Sequence, residues 1–145
     1  MSDLAARLQT DLNAARKAQD KPLTLVLGTL LSDIKNKRIE LRREPSDDDV
    51  VDVVRKGIKR RRESVEMYEK GSREDLAAKE REELAVLERY LPPAVDPEEL
   101  RAAVRTAIAG GATTIGAVMG KVMPQFKGRV DGSAINAVAR EELAR

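Results

Sequence analysis

Aliphatic side chains recur three and four residues apart along almost the whole chain, and no stretch alternates apolar and polar residues as a half-buried strand would. Leu4, Leu8 and Leu12 stand four apart, with Ser2 or Asp3 placed to cap a first helix. Asp20 and Pro22 open a second, with Leu23, Leu27, Leu30, Ile34 and Leu41 on one stripe. Pro45 disfavours helix at Glu44, so this helix should stop near Arg43. Ser46 and Asp49 then resemble a capping box, aspartate standing in for the usual Glu or Gln. The third helix is expected to run to about Lys70, with Gly71 as its stop. Ser72 is expected to cap a fourth, which carries Leu76, Leu84, Leu87 and Leu91 and is ended by Pro92-Pro93.

The prolines mark a boundary. Residues 1–91 read as a helical bundle unit, 92–96 as a proline-rich linker and 97–145 as a three-helix tail unit. Asp96-Pro97-Glu98-Glu99 carries an N-cap, a first-position proline and a capping-box glutamate. Leu100, Val104 and Ile108 form the stripe that follows, ended by Gly110-Gly111. A short helix from about Thr114 to Gln125 should bury Ile115, Val118, Met119 and Val122, and Asp131 or Ser133 should start a last one with Ile135, Val138 and Leu143. The fold class is therefore all-α, four helices and then three.

The 145 residues contain no Cys and no His. Those two zeros exclude zinc fingers, disulfide scaffolds, cysteine-ligated clusters and every triad with a histidine base. No apolar run approaches the roughly 20 residues that span a bilayer, so the partners are expected to include no membrane and the default compartment is the cytoplasm. Net charge is only +2, but it is unevenly spread. From Lys35 to Arg62 eleven basic residues face six acidic ones, and from Glu63 to Arg89 nine acidic face five basic. Such segregation suits a polyanion-binding face, and helix salt-bridge ladders produce it too.

The catalytic inventory is thin. Ser32 and Lys35 satisfy Ser-x-x-Lys but lack the Lys-Thr-Gly or Ser-Asp-Asn partner, and are read as chance. Asp47-Asp48-Asp49 lacks EF-hand spacing and is read as helix-start carboxylates rather than a metal site. Neither a Walker loop nor a dinucleotide fingerprint is present, and nothing calls for a cofactor. Composition makes no positive case for an enzyme.

Three constellations remain. Arg61 and Glu80 each interrupt an apolar series, and a hairpin turning at Gly71-Ser72 would bring them level as a half-buried structural ion pair. Arg55, Lys59 and Arg62 share one stripe of the third helix, with Lys56 and Arg60 beside it. That row could track phosphates or be a solvated helix face. Finally, Lys127 and Arg129 lie between glycines in a loop that leads into Asp131-Gly132-Ser133. Two cations, a glycine-loosened backbone and a helix start suit a phosphate; the alternative is a structural turn in which Asp131 merely caps the last helix.

Met119-Gly120, Met123-Pro124 and Lys127-Gly128-Arg129-Val130-Asp131-Gly132, together with Gly71-x-Arg73-x-Asp75-Leu76 and Leu87-Glu88-Arg89-Tyr90-Leu91-Pro92, resemble the signature of the GatB/YqeY family, in particular its stand-alone YqeY-like members. The likeness covers essentially the whole chain. In that family the domain forms the C-terminal portion of the B subunit of glutamine-dependent aminoacyl-tRNA amidotransferase, where it helps hold the tRNA body while the chemistry lies in a separate catalytic domain. The resemblance implies a noncatalytic module binding tRNA or another structured RNA, with amidotransferase subunits as further partners. The label of carbon–nitrogen ligase with glutamine as amido donor would be inherited by association. Carried over by position, Lys127, Gly128, Arg129 and Asp131 are the candidate RNA contacts, with Lys121 on the preceding helix as an addition. The row Arg55, Lys59 and Arg62 is added on charge alone. A protein-interaction module docking another subunit through its charged helical faces is the alternative.

Overall fold

The computed structural model describes residues 1–145 as seven α-helices and no strand. They are α1 (Asp3–Lys17), α2 (Lys21–Leu41), α3 (Asp47–Lys70), α4 (Glu74–Glu88), α5 (Pro97–Ala109), α6 (Ile115–Val122) and α7 (Gly132–Leu143), with a 3₁₀ turn, Met123–Phe126, between the last two. The chain divides into two compact units, Met1–Leu91 and Pro92–Arg145.

The first unit holds α1 to α4. Ser2 caps α1, accepting from the Ala5 amide, and Asp20 caps α2, accepting from the Leu23 amide. At α3 the capping box is complete, with the Asp49 amide donating to Ser46 Oγ and the Ser46 amide to Asp49 Oδ2 at 2.8 Å. The Arg43 guanidinium and the Ser46 amide hold the Asp49 carboxyl down at about 2. Leu8, Leu12, Leu27, Leu30, Val50, Val54, Ile58 and Leu87 make the core, each fully buried aliphatic side chain contributing about 1.5–3 kcal/mol. Gly57 lets α3 and α4 close up, since a Cβ there would stand 3.2 Å from Leu87 Cδ1. Tyr90 closes the unit by donating from its hydroxyl to Asp11 Oδ2 at 2.6 Å beneath the Arg7 guanidinium. Burial, then the Asp11 contact, pushes its phenol up to about 12.

The α3–α4 turn differs from expectation. Gly71 keeps negative φ, and Ser72 takes the left-handed conformation (φ 58°) instead. Ser72 therefore caps nothing. Arg73 is the N-cap of α4, without a side-chain cap, and its amide closes back on the Tyr68 carbonyl at 2.8 Å. Across the resulting seam Arg61 Nε lies 3.4 Å from Glu83 Oε2, not against Glu80. Glu80 sits close by, its carboxyl pushed up by burial and by the Glu83 charge and drawn down by Arg61. The ion pair expected for Arg61 is thus made one helical turn further along α4.

The second unit packs Leu100 and Val104 of α5, Val118 and Val122 of α6, and Ile135 and Ala139 of α7 around Phe126. Its α5–α7 seam is clamped by Glu142, only 4% exposed, which accepts from Arg101 at 2.7 Å and Arg105 at 2.9 Å. Those bonds, Arg105 first, hold the Glu142 carboxyl at about 2.

Candidate nucleic-acid interface

Helix α6 begins at Thr114, whose hydroxyl accepts from the Ala117 amide, and as a regular α-helix it lasts only to Val122. Pro124 then sits in the tighter 3₁₀ turn, and Phe126, 3% exposed, pins that turn into the core. From this anchor the chain runs out through Lys127, Gly128, Arg129 and Val130 to Asp131. The Arg129 and Val130 amides donate back to the Phe126 carbonyl at 2.9 and 3.1 Å. Gly128 has φ +76°, a conformation glycine reaches without strain, so the loop reverses within a few residues. Asp131 caps α7, accepting from the Ser133 amide at 3.4 Å.

The two loop cations are held differently. Lys127 is exposed and forms no ion pair or hydrogen bond through its ammonium. Arg129 is tethered: its guanidinium lies 5.5 Å from the Phe126 ring centroid and 3.4 Å from Glu99, yet the side chain stays 45% exposed. Glu99 is the residue expected to close a capping box at α5. Asp96 instead accepts from Glu98, and Glu99 reaches the loop. Lys121, also exposed, donates to the Gly110 carbonyl at 3.4 Å and so serves the end of α5. Beside the loop, Gly116 and Gly120 leave a face of α6 bare; both are exposed and a Cβ on either would meet nothing within 4 Å. That face continues through Met123, whose methyl lies 3.7 Å from a Cβ position on Gly132. Isolated glycines in a helical pattern read only as weak helix formers, so the sequence does not announce this bare face.

The basic row of α3 is dispersed. Lys59 is exposed and lines, with Lys56, Lys37 and Arg60, a cleft of about 440 Å³ between α2 and α3. Asp33, which pairs with Arg60 at 3.1 Å, and Glu40 and Glu63 line it too. Arg62 turns to α4, 3.6 Å from Glu88, and Arg55 is half-buried and engaged within the chain. Asp47 and Asp49 hold the Leu4 amide and the Arg43 guanidinium.

Comparison with known proteins places this architecture. The family model of the Yqey-like proteins matches residues 5–143. The chain belongs to the YqeY-like family. Among relatives of this YqeY-like protein, altered inheritance of mitochondria protein 41 of Pyrenophora tritici-repentis is 32% identical over 141 residues, 93% of this chain and 78% of that protein. The protein of the same name from Eremothecium gossypii is 33% identical over 150 residues, 99% and 82% of the two chains. That from Kluyveromyces lactis is 37% identical over 105 residues, 70% and 57%. These relatives are named as mitochondrial, which overturns the cytoplasmic default drawn from the sequence. The default rested on lacking apolar segments. No helix of this YqeY-like protein is long and apolar enough to cross a membrane, and that property does not fix a compartment.

Proposed function

We propose that this YqeY-like protein is a noncatalytic module that binds tRNA or another structured RNA through the Lys127–Asp131 loop, acting alone or beside amidotransferase subunits. The observation that carries the reading is Lys127: an ammonium at the exposed tip of a core-anchored loop, with no carboxylate of the chain spent on it. Arg129 lies two residues away and half-exposed, its tether to Phe126 and Glu99 limiting the entropy lost when it meets a phosphate. The bare Gly116–Gly120 face offers room for a sugar-phosphate backbone to approach helix backbone. Three aromatic residues in all, with Phe126 and Tyr90 buried, favour recognition by shape and phosphate over base stacking.

The test is titration of the intact protein with tRNA and with duplex DNA at two salt concentrations. Binding should prefer tRNA and weaken with salt. Lys127→Ala with Arg129→Ala should lower affinity at least tenfold at low salt and flatten the log–log salt dependence by about 1–2, one or two phosphate contacts being lost. Unchanged tRNA affinity in the double variant would overturn the assignment of the loop. Transamidation or glutamine hydrolysis by the isolated chain would overturn the noncatalytic reading, and with it the view that the carbon–nitrogen ligase label comes by association.

A further inference from the structure

A groove of about 400 Å³ runs between α1 and α2 of the first unit. Leu12, Ile34 and Pro45 form its floor, each with little exposed surface. Leu31 and the exposed Met1 add apolar surface above it, and Ser32 and Lys35, too poorly partnered to be a catalytic pair, stand on one wall. Its lining extends from Ala5 to Arg16 on α1 and from Gly28 to Arg38 on α2. At 1.5 Å per residue each wall is about 15 Å long, the length of three helical turns.

Two features say what enters. Gly28 lies in the middle of α2, where glycine is a poor helix former, and a Cβ there would meet nothing within 4 Å. No contact inside the chain uses that missing side chain; an incoming backbone would. The groove is also electrically one-sided, with Arg16, Lys35 and Arg38 against the single acid Glu44. Glu44 is engaged by Arg38 at 3.0 Å, and Arg16 and Lys35 form no ion pair. A second copy of this cationic surface would be repelled, whereas acidic side chains would be attracted.

We infer that the α1–α2 groove docks an amphipathic helix of a partner protein, about three turns long, whose apolar face lies between α1 and α2 and whose flanks carry Asp or Glu beside Arg16 and Lys35. The site belongs to the first unit and is independent of the RNA-binding loop.

The test uses the full chain and two fluorescent helical peptides with the same leucine stripe, one flanked by glutamates and one by lysines. The glutamate peptide should bind and the lysine peptide should not. Arg16→Glu with Lys35→Glu should weaken the glutamate peptide about tenfold or more and gain binding of the lysine peptide. Gly28→Leu projects into the groove and should abolish binding of the glutamate peptide with no loss in Tm, because its Cβ meets nothing within 4 Å and leucine is the better helix former. Equal binding of the glutamate peptide by the parent and Gly28→Leu proteins would overturn the inference. So would indifference to peptide charge, or equal binding of a peptide with the leucines scrambled off their stripe. Binding of phosphatidylglycerol vesicles without binding of the peptide would overturn it in favour of a lipid surface. Self-association abolished by Gly28→Leu would overturn it in favour of a second copy.

Discussion

Each unit of this YqeY-like protein clamps two helices together with buried charge, and the two clamps carry opposite surpluses. Across α3–α4 one guanidinium, Arg61, meets Glu83 directly with Glu80 alongside. Across α5–α7 one carboxylate, Glu142, takes hydrogen bonds from Arg101 and Arg105, with Arg145 3.9 Å away. The first clamp is poorly bonded. Arg61 donates from Nη1 to the Gly57 carbonyl at 3.2 Å, while its buried Nε has no hydrogen-bond partner. The second is well bonded, its carboxylate only 4% exposed although the Arg105 side chain is 52% exposed. Charge count and hydrogen-bond geometry together decide which group is strained: the spare carboxylate of the first clamp is pushed toward protonation, and the buried carboxylate of the second, which shares Arg101 with the exposed Glu141, is held ionised.

The sharpest way to break the contrast is Glu142→Gln. An amide can satisfy fewer of the guanidinium donors and brings no charge, so Arg101 and Arg105 would face each other without their shared anion. This variant should lose more stability than any other single substitution at either clamp, seen as faster hydrogen exchange in α5 and α7 while α1–α4 stay protected. Equal loosening of both units would show that the clamp is not local.

Acid separates the clamps next. Glu142 has its carboxyl lowered from 4.5 to about 2, so the stability it contributes is present above pH 4.5 and is lost as pH falls toward 2. Glu80 is shifted the other way, so its contribution is present below pH 4.5 and is lost as pH rises through its raised value. Between pH 4.5 and 2 the α5–α7 seam should therefore weaken more than the α3–α4 seam. Asp49 weakens the start of α3 over the same range, which requires hydrogen exchange resolved to the seam itself. Simultaneous loss at both seams would contradict the opposite shifts.

The same two clamps show what could be read from the sequence. Local signals were legible: the Ser46–Asp49 box, the Asp20 and Asp96 caps and the four-plus-three helix order depend on neighbours a few residues apart. The loop of Lys127 and Arg129 was equally legible, because glycine, lysine and arginine spacing is itself local. Contacts across helices were not. Counting back from the turn pairs Arg61 with Glu80, but a helical side chain leans toward the N-terminus of its own helix. Arg61 on α3 therefore leans away from the turn while side chains on α4 lean toward it, which shifts the meeting point to Glu83, three residues on. Glu142 and its arginines are 37 and 41 residues apart, and Tyr90 and Asp11 are 79 apart. No periodicity encodes such pairs. The reach of Glu99 to Arg129, which half-occupies one candidate RNA contact, was hidden for the same reason.

The smallest expected effect tests the first clamp most directly. Glu80→Gln removes the carboxylate that crowds Glu83 and leaves the Arg61–Glu83 pair in place. Because burial and the Glu83 charge both disfavour ionised Glu80, neutralising it should leave stability at pH 7 unchanged or raise it by no more than about 0.5 kcal/mol. The gain should shrink toward pH 4, as the native carboxyl takes up its proton. Chemical denaturation of the parent and Glu80→Gln proteins at both pH values measures the difference. A clear loss at pH 7 would mean that Arg61 relies on both acids, and that the α3–α4 seam is a shared three-residue clamp like its counterpart in the second unit.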